Sequence, residues 1–225
     1  MGQVFAVSNY IIKYSKGDSV KYISHLDFVR TFHRAARRGG LLMEYSGGFN
    51  PHPVMTIAMP LSVGVTSETE YMKIGFLEDY TEEEIKSRLN AAFPEGLFVI
   101  AVKKLTEKEK MFSKINKVVY KTEIECNDSR LFDSDAFLSN KQLLVMKKTK
   151  SGEKEADIRP YIYEFEAKKS EKNKIEVKMC LAAGNDYNLK VETVLAAMEK
   201  YSEGFEITFS MSHRVKILAD DKEIL

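Results

Sequence analysis

One order of strand and helix signals runs twice along this chain, and that repeat limits the folds open to it more than any other feature. In the first pass, residues 7–14 mix β-branched and aromatic residues in partial alternation, as a strand does. Ser24 stands three residues before Asp27, a helix-opening pair, and the helix it starts runs to Arg38 and stops at Gly39-Gly40. A short apolar segment at 41–45 predicts a strand, and the Gly- and Pro-rich residues 46–53 predict a loop. Residues 54–59 and 70–77 read as two further strands. Thr81 caps a second helix with acids in its first turn, and residues 97–104 close the pass as a strand.

The second pass follows a charged, weakly patterned stretch at 106–116. Residues 117–125 form a strand, 133–139 a short helix and 143–148 a strand, and 150–160 form a polar connection. Residues 161–167 and 174–181 then read as a hairpin, 191–201 as a helix and 205–215 as the last strand. Local matches accompany the shared order. Leu41-Leu42-Met43 aligns with Leu143-Leu144-Val145, and Pro94-Glu95-Gly96-Leu97 aligns with Ser202-Glu203-Gly204-Phe205. With the short strand before each loop removed, each half is β-α-β-β-α-β, the split βαβ pattern. The expected fold is therefore α+β, with two tandem ferredoxin-like halves related by duplication: 1–105, a linker at 106–116, and 117–225. Coincidence of two unrelated α+β halves is the plainer alternative.

Composition narrows the function classes. The two cysteines, Cys126 and Cys180, lie in no CxxC pair or Cys/His cluster, so neither a disulfide framework nor a metal centre is expected. No cofactor fingerprint is present: there is no P-loop, dinucleotide-binding glycine pattern, HExxH or GxSxG. The first residues lack a basic and apolar signal pattern, and Ala6 breaks the myristoylation pattern that Gly2 would begin. No apolar run approaches the ~20 residues that span a bilayer. A cytoplasmic protein without membrane contact is expected.

Charge is unevenly distributed. Residues 1–60 carry seven basic against three acidic groups, whereas 61–105 carry five against eight and the remainder balances. Within the basic segment, Arg30, His33, Arg34 and Arg37 recur at three- and four-residue steps on one helix face, while Leu26, Val29, Phe32 and Ala36 recur on the face expected to pack. Arginine throughout suits bidentate recognition of phosphate or carboxylate. A solvated face, with Arg37 and Arg38 favouring the helix C-terminus, explains the same spacing.

The loop Tyr45-Ser46-Gly47-Gly48-Phe49-Asn50-Pro51-His52-Pro53 joins two glycines to two prolines. Tyr45, Phe49, Asn50 and His52 on such a loop suit base stacking and edge recognition, and a structural turn is the alternative. His52, His25 and Tyr22 are the candidate acid–base groups, with His25 at a helix start. Asp157-Ile158-Arg159-Pro160 holds the corresponding place in the second half. Arg159 is a candidate binding residue, and a local Asp157–Arg159 ion pair is the competing account. Lys147-Lys148-Thr149-Lys150, soon followed by Glu153 and Glu155, reads as an exposed hairpin end.

Three stretches of this chain resemble one family: Tyr22-Ile23-Ser24-His25-Leu26-Asp27, the Arg30-Thr31-Phe32 and Ala35-Ala36-Arg37-Arg38 pair, and the 45–53 loop. That family is the bacterial radical SAM-linked proteins. Asp157 to Pro160 and the 184–195 stretch resemble its second half, and Gly47 stands where the family often has a larger polar residue. The resemblance implies a partner, since such proteins occur fused or adjacent to radical SAM enzymes, often near genes for RNA processing and ribosomal proteins. This chain has no CxxxCxxC motif, so it is not itself the radical enzyme. The expected function is a non-catalytic RNA-binding or substrate-presenting accessory protein. A metal-free endoribonuclease using His25, His52 and Tyr22, and a protein adaptor that never touches RNA, are the alternatives.

Overall fold

The computed structural model describes residues 7–106, 111–149 and 152–225. The signal and acylation readings at residues 1–6, part of the 106–116 segment, and Lys150 of the basic hairpin end lie outside the described residues, as do the side chains of 147–149 and 153. The chain is mixed α+β, with antiparallel strand pairing and four α-helices among the described residues. It divides into two compact units, Met1–Phe112 with Ile224–Leu225, and Ser113–Glu223.

The first unit contains β1 (Ser8–Lys16), α1 (His25–Arg38), β2 (Met55–Ile57), β3 (Thr66–Phe76), α2 (Glu82–Ala92) and β4 (Leu97–Lys104). Its strands lie in the order β4-β1-β3-β2, with every neighbouring pair antiparallel. Ser24 caps α1, its hydroxyl accepting from the Asp27 N–H. Thr81 and Glu84 form a reciprocal capping box at α2. The Asn90 side chain folds onto β4, its amide donating to the Val99 carbonyl at 3.0 Å and its oxygen accepting from the Val99 N–H at 2.7 Å. Farther along, the Glu82 carboxylate accepts from the Lys104 N–H.

The packing face of α1 differs from the expectation. Phe28, Phe32, Ala35 and Ala36 are buried, while Leu26 is exposed and Val29 only partly covered. At 3.6 residues per turn Leu26 lies about 200° around the helix from Phe28, so only one of them can face the sheet. An aromatic run decides which: Phe28 stacks on Tyr14 with ring centroids 5.0 Å apart, and Phe32 packs between Phe28 and Phe93. Residues 41–45 also form no strand. They make isolated bridges only, Met43 to Phe76 and Tyr45 to Pro53.

The second unit contains β5 (Ile115–Cys126), α3 (Ser134–Ser139), β6 (Leu144–Thr149), β7 (Gly152–Asp157), β8 (Ile162–Glu171), β9 (Lys174–Ala182), α4 (Val191–Lys200), β10 (Ile207–Ala219) and β11 (Lys222–Glu223). Its sheet runs β10-β5-β9-β8, with β11 on β10. The polar connection expected at 150–160 is instead mostly strand, because β7 pairs with β6 as a separate two-stranded ribbon. Helices α3 and α4 cover a core that includes Phe132, Phe137, Met179, Val194 and Met198. On the exposed face Glu123 lies opposite Glu176 and Lys121 opposite Lys178. Each like-charged pair is unfavourable alone, and the neighbouring row of opposite sign offsets it.

Candidate functional site

The first unit gathers several of the expected residues around one groove. Helix α1 ends at Gly39, and Gly40 then takes a left-handed backbone, φ 69°, that turns the chain back along the helix. The next residues are held by Tyr80, whose hydroxyl accepts from the Leu42 N–H at 3.1 Å and donates to the Gly40 carbonyl at 3.3 Å. The Leu42 carbonyl accepts from the Leu77 N–H. The resulting concavity, about 340 Å³, is lined by His33, Arg37, Leu42, Met43, Tyr45 and Leu77, with Gly40 and Leu41. Leu42 and Tyr45 are 51% and 44% exposed, so the wall presents apolar and aromatic surface to solvent.

His33 and Tyr45 join the helix to this wall. The Tyr45 hydroxyl and His33 Nε2 share a short hydrogen bond, and the rings meet edge to face at 5.8 Å. Beyond Tyr45 the 46–53 loop closes on itself. The Ser46 N–H donates to the His52 carbonyl, the His52 N–H donates to Ser46 Oγ, and Ser46 Oγ shares a 2.9 Å hydrogen bond with His52 Nδ1. Gly48, at φ 104°, reverses the tip, and Phe49 stands fully exposed beside exposed Asn50. The closed base ties the ends of the loop that carries this protruding aromatic.

The cationic stripe is present on the open face of α1. Arg30, Arg34 and Arg37 are exposed and His33 is partly covered. Arg30 pairs with Asp27 at 3.1 Å, with both side chains more than half exposed, so the pair contributes little. The hydroxyl of Ser24, and then Arg30, hold the Asp27 carboxyl below its ordinary range. The side chains of Arg34 and Arg37 make no hydrogen bond or ion pair among the described residues. Arg38 donates to the Ala92 carbonyl, a link between helices.

Other expected residues lie apart from this groove. Tyr22 is exposed, with the Lys21 ammonium 5.4 Å from its ring centre. His25 opens α1 over a cavity of about 20 Å³, room for about one water, shared with Lys16 and Glu70. Among the described residues no hydrogen bond links His52 to His25 or Tyr22. In the second unit, Asp157 Oδ1 accepts from the Leu143 and Arg159 N–H groups, while the Arg159 guanidinium donates to the Leu138 and Ile162 carbonyls. The local Asp157–Arg159 contact thus runs through the backbone, and the Arg159 head is engaged in holding α3 to the start of β8.

Sequence reasoning missed Leu42, Leu77 and Tyr80, which join distant segments by contacts that have no period. It also missed Lys16 and Glu70, both buried within the first unit. Lys16 donates to the Lys21 and Ile23 carbonyls at 3.1 and 3.4 Å, and burial lowers its pKa against the opposing influence of Glu70. Among the described residues no group of three His, Cys, Asp or Glu side chains is placed to hold a metal ion. None of the helices described is long and apolar enough to cross a membrane.

A family model described as "Uncharacterized protein conserved in bacteria (DUF2344)" matches residues 9–191. No curated protein matches the chain. Among solved structures, an unknown protein from Galdieria sulphuraria is 11% identical with a TM-score of 0.28, covering 92% of this chain and 99% of its own. Another, described as a "putative glycine cleavage system transcriptional repressor", is 10% identical with a TM-score of 0.23, covering 92% and 98%. Likenesses this weak carry no argument about fold or function.

Proposed function

The chain belongs to this DUF2344 family of bacterial proteins, and from that premise we propose that it is a non-catalytic, cytoplasmic RNA-binding module that presents its RNA to a radical SAM enzyme. The observation that carries the RNA reading is the surface of the first unit. Arg34 and Arg37 are exposed, and their side chains make no hydrogen bond or ion pair among the described residues; Arg37 and Tyr45 line one groove, and the loop that leaves Tyr45 carries the fully exposed Phe49. Guanidinium groups beside exposed aromatic rings are the combination that single-stranded nucleic acid needs, phosphates on one and base faces on the other. The pairing with a radical enzyme is supported by the motif resemblance at 22–27 and 45–53. With two cysteines the chain has too few thiolates for the three-cysteine motif of such an enzyme.

Duplication of a ferredoxin-like half is part of the same reading. Two observations support it: with the separate β6–β7 ribbon and the short β11 set aside, the strand order fourth-first-third-second occurs in both units, and the matched turns share their geometry. Gly96 and Gly204 are both left-handed, at φ 92° and 70°, and in each turn the next residue's N–H donates to the carbonyl three residues back.

The test is binding of single-stranded RNA across a salt series. Affinity should fall steeply with salt, and Arg34→Gln/Arg37→Gln should lower the slope of log K against log salt by about 1.4 units, roughly 0.7 per phosphate contact removed from a single strand. Absence of RNA affinity in low salt, together with co-purification of a radical enzyme after nuclease treatment, would replace this reading with the adaptor. RNA cleavage abolished by His25→Ala/His52→Ala would replace it with the endoribonuclease.

A further inference from the structure

We propose that the groove between the end of α1 and the Leu42–Tyr45 wall receives a single unstacked nucleotide, with its base against Leu42 and the Tyr45 ring and its phosphate on Arg37. This inference rests on the RNA-binding reading and specifies what that site takes.

Size comes first. At about 340 Å³ the groove lies at the small end of small-molecule sites, which span about 300–1,000 Å³. A helix or a folded peptide has no room there, and one nucleotide does. Surface chemistry comes second. The lining is apolar or aromatic at Leu41, Leu42, Met43, Tyr45 and Leu77, and it carries a single guanidinium, Arg37, which makes no ion pair among the described residues. An apolar slot with one available cation at its lip is complementary to a flat neutral ring bearing one anionic group.

Anchoring comes third. The Tyr45 hydroxyl is held by His33, and Leu42 is held through its backbone by Tyr80 and Leu77. The slot is therefore formed before a ligand arrives, and less freedom is lost on binding. Continuity comes fourth. Arg30, Arg34 and Arg37 span about 10 Å along α1, at 1.5 Å per residue, and lead to the groove, while the loop beyond Tyr45 sets Phe49 outside it. A strand following the stripe would place one base in the slot and a flanking base against Phe49.

No side-chain amide or carboxylate lines the slot. Recognition is consequently by stacking, which every base satisfies, and the site should accept purines and pyrimidines alike.

The experiment uses the full chain with methyl-labelled Leu. Short single-stranded RNAs, oligoadenylate and oligouridylate, are titrated and followed by fluorescence anisotropy and by methyl NMR. Leu42 and Leu77 methyl resonances should move with either RNA. Tyr45→Leu and Arg37→Gln should each weaken binding about tenfold, whereas Tyr45→Phe, which keeps the ring and loses only the hydroxyl anchored by His33, should weaken it less than Tyr45→Leu does. Unchanged methyl resonances of Leu89 and Leu97, buried in the first unit's own core away from the slot, establish that each variant is folded. If RNA binds but Leu42 and Leu77 stay still and Tyr45→Leu binds as well as the parent, the slot assignment is overturned while the RNA reading stands. If neither RNA binds in low salt, both fail. Binding of an apolar peptide that moves those methyls and is not displaced by RNA also overturns the nucleotide.

Discussion

Within α1, two apolar residues two positions apart have opposite fates. Leu26 and Phe28 are comparable in hydrophobicity, yet Phe28 is buried and Leu26 is 64% exposed. Hydrophobic spacing alone admits both stripes, and the choice depends on Tyr14 and Phe93, which meet the helix from elsewhere in the sequence. Phe32 is shared by both stripes and is fully buried. Phe32→Ala should therefore destabilise the protein by about 3–5 kcal/mol in urea or guanidinium unfolding, while Leu26→Ala should stay within about 0.5 kcal/mol. Equal losses in the two variants would mean that the sheet-facing stripe is the one that begins at Leu26. The site shows the same limit. Arg34, Arg37 and Tyr45 were legible as a cationic face and an aromatic loop, but the contact of Tyr45 with His33, and the part of Tyr80 in shaping Leu42, follow from the turn at Gly40.

Elements that close with local hydrogen bonds were legible, and those that depend on distant partners were not. Ser24 and Thr81 open helices where their side chains suggest. β7 escaped notice because its residues, Gly-Glu-Lys-Glu-Ala-Asp, have no apolar alternation, and its strand character comes from pairing with β6. Residues 41–45 erred in the other direction, apolar enough for a strand but bridged at single residues only. Helix α3 illustrates how a cap sets acid sensitivity. Asp133 accepts from the Ala136 and Asp135 N–H groups, and these hold its carboxyl below the ordinary 3.8. A carboxyl depressed in the folded state adds stability that is present above its unfolded pKa and lost as pH falls through the folded one. Asparagine keeps the accepting oxygen and does not titrate. Asp133→Asn should thus flatten the decline in denaturation midpoint between about pH 5 and pH 3 relative to the parent; an unaltered decline would remove Asp133 as a source of it.

Over the whole molecule, near-neutral net charge, +1, conceals an uneven distribution. The basic excess falls within residues 1–60, where α1 and the 46–53 loop lie, whereas the exposed face of the second unit alternates rows of Glu and Lys. Long-range attraction for a polyanion therefore concentrates at one end of the sequence. Ultraviolet crosslinking of bound RNA followed by peptide mapping should recover peptides from α1 and the 46–53 loop, and few from β5 and β9. A footprint centred on Lys121 and Lys178 would relocate the interface. Most of the order of elements was readable, β7 and residues 41–45 excepted, because it rests on many weak signals that agree. The unequal charge of the two halves was readable directly.

The small bond pair between Asn90 and Val99 has a consequence for company the protein can keep. Strand β4 ends the first unit's β4-β1-β3-β2 order, where an open strand would offer a template for another chain to zip onto. Asn90 occupies both the donor and the acceptor of Val99, and Glu82 occupies the Lys104 donor. An incoming strand would have to evict its own mimic, a side-chain amide with the hydrogen-bonding pattern of a peptide group. At those positions the margin resists strand addition and the fibrillar stacking that begins with it.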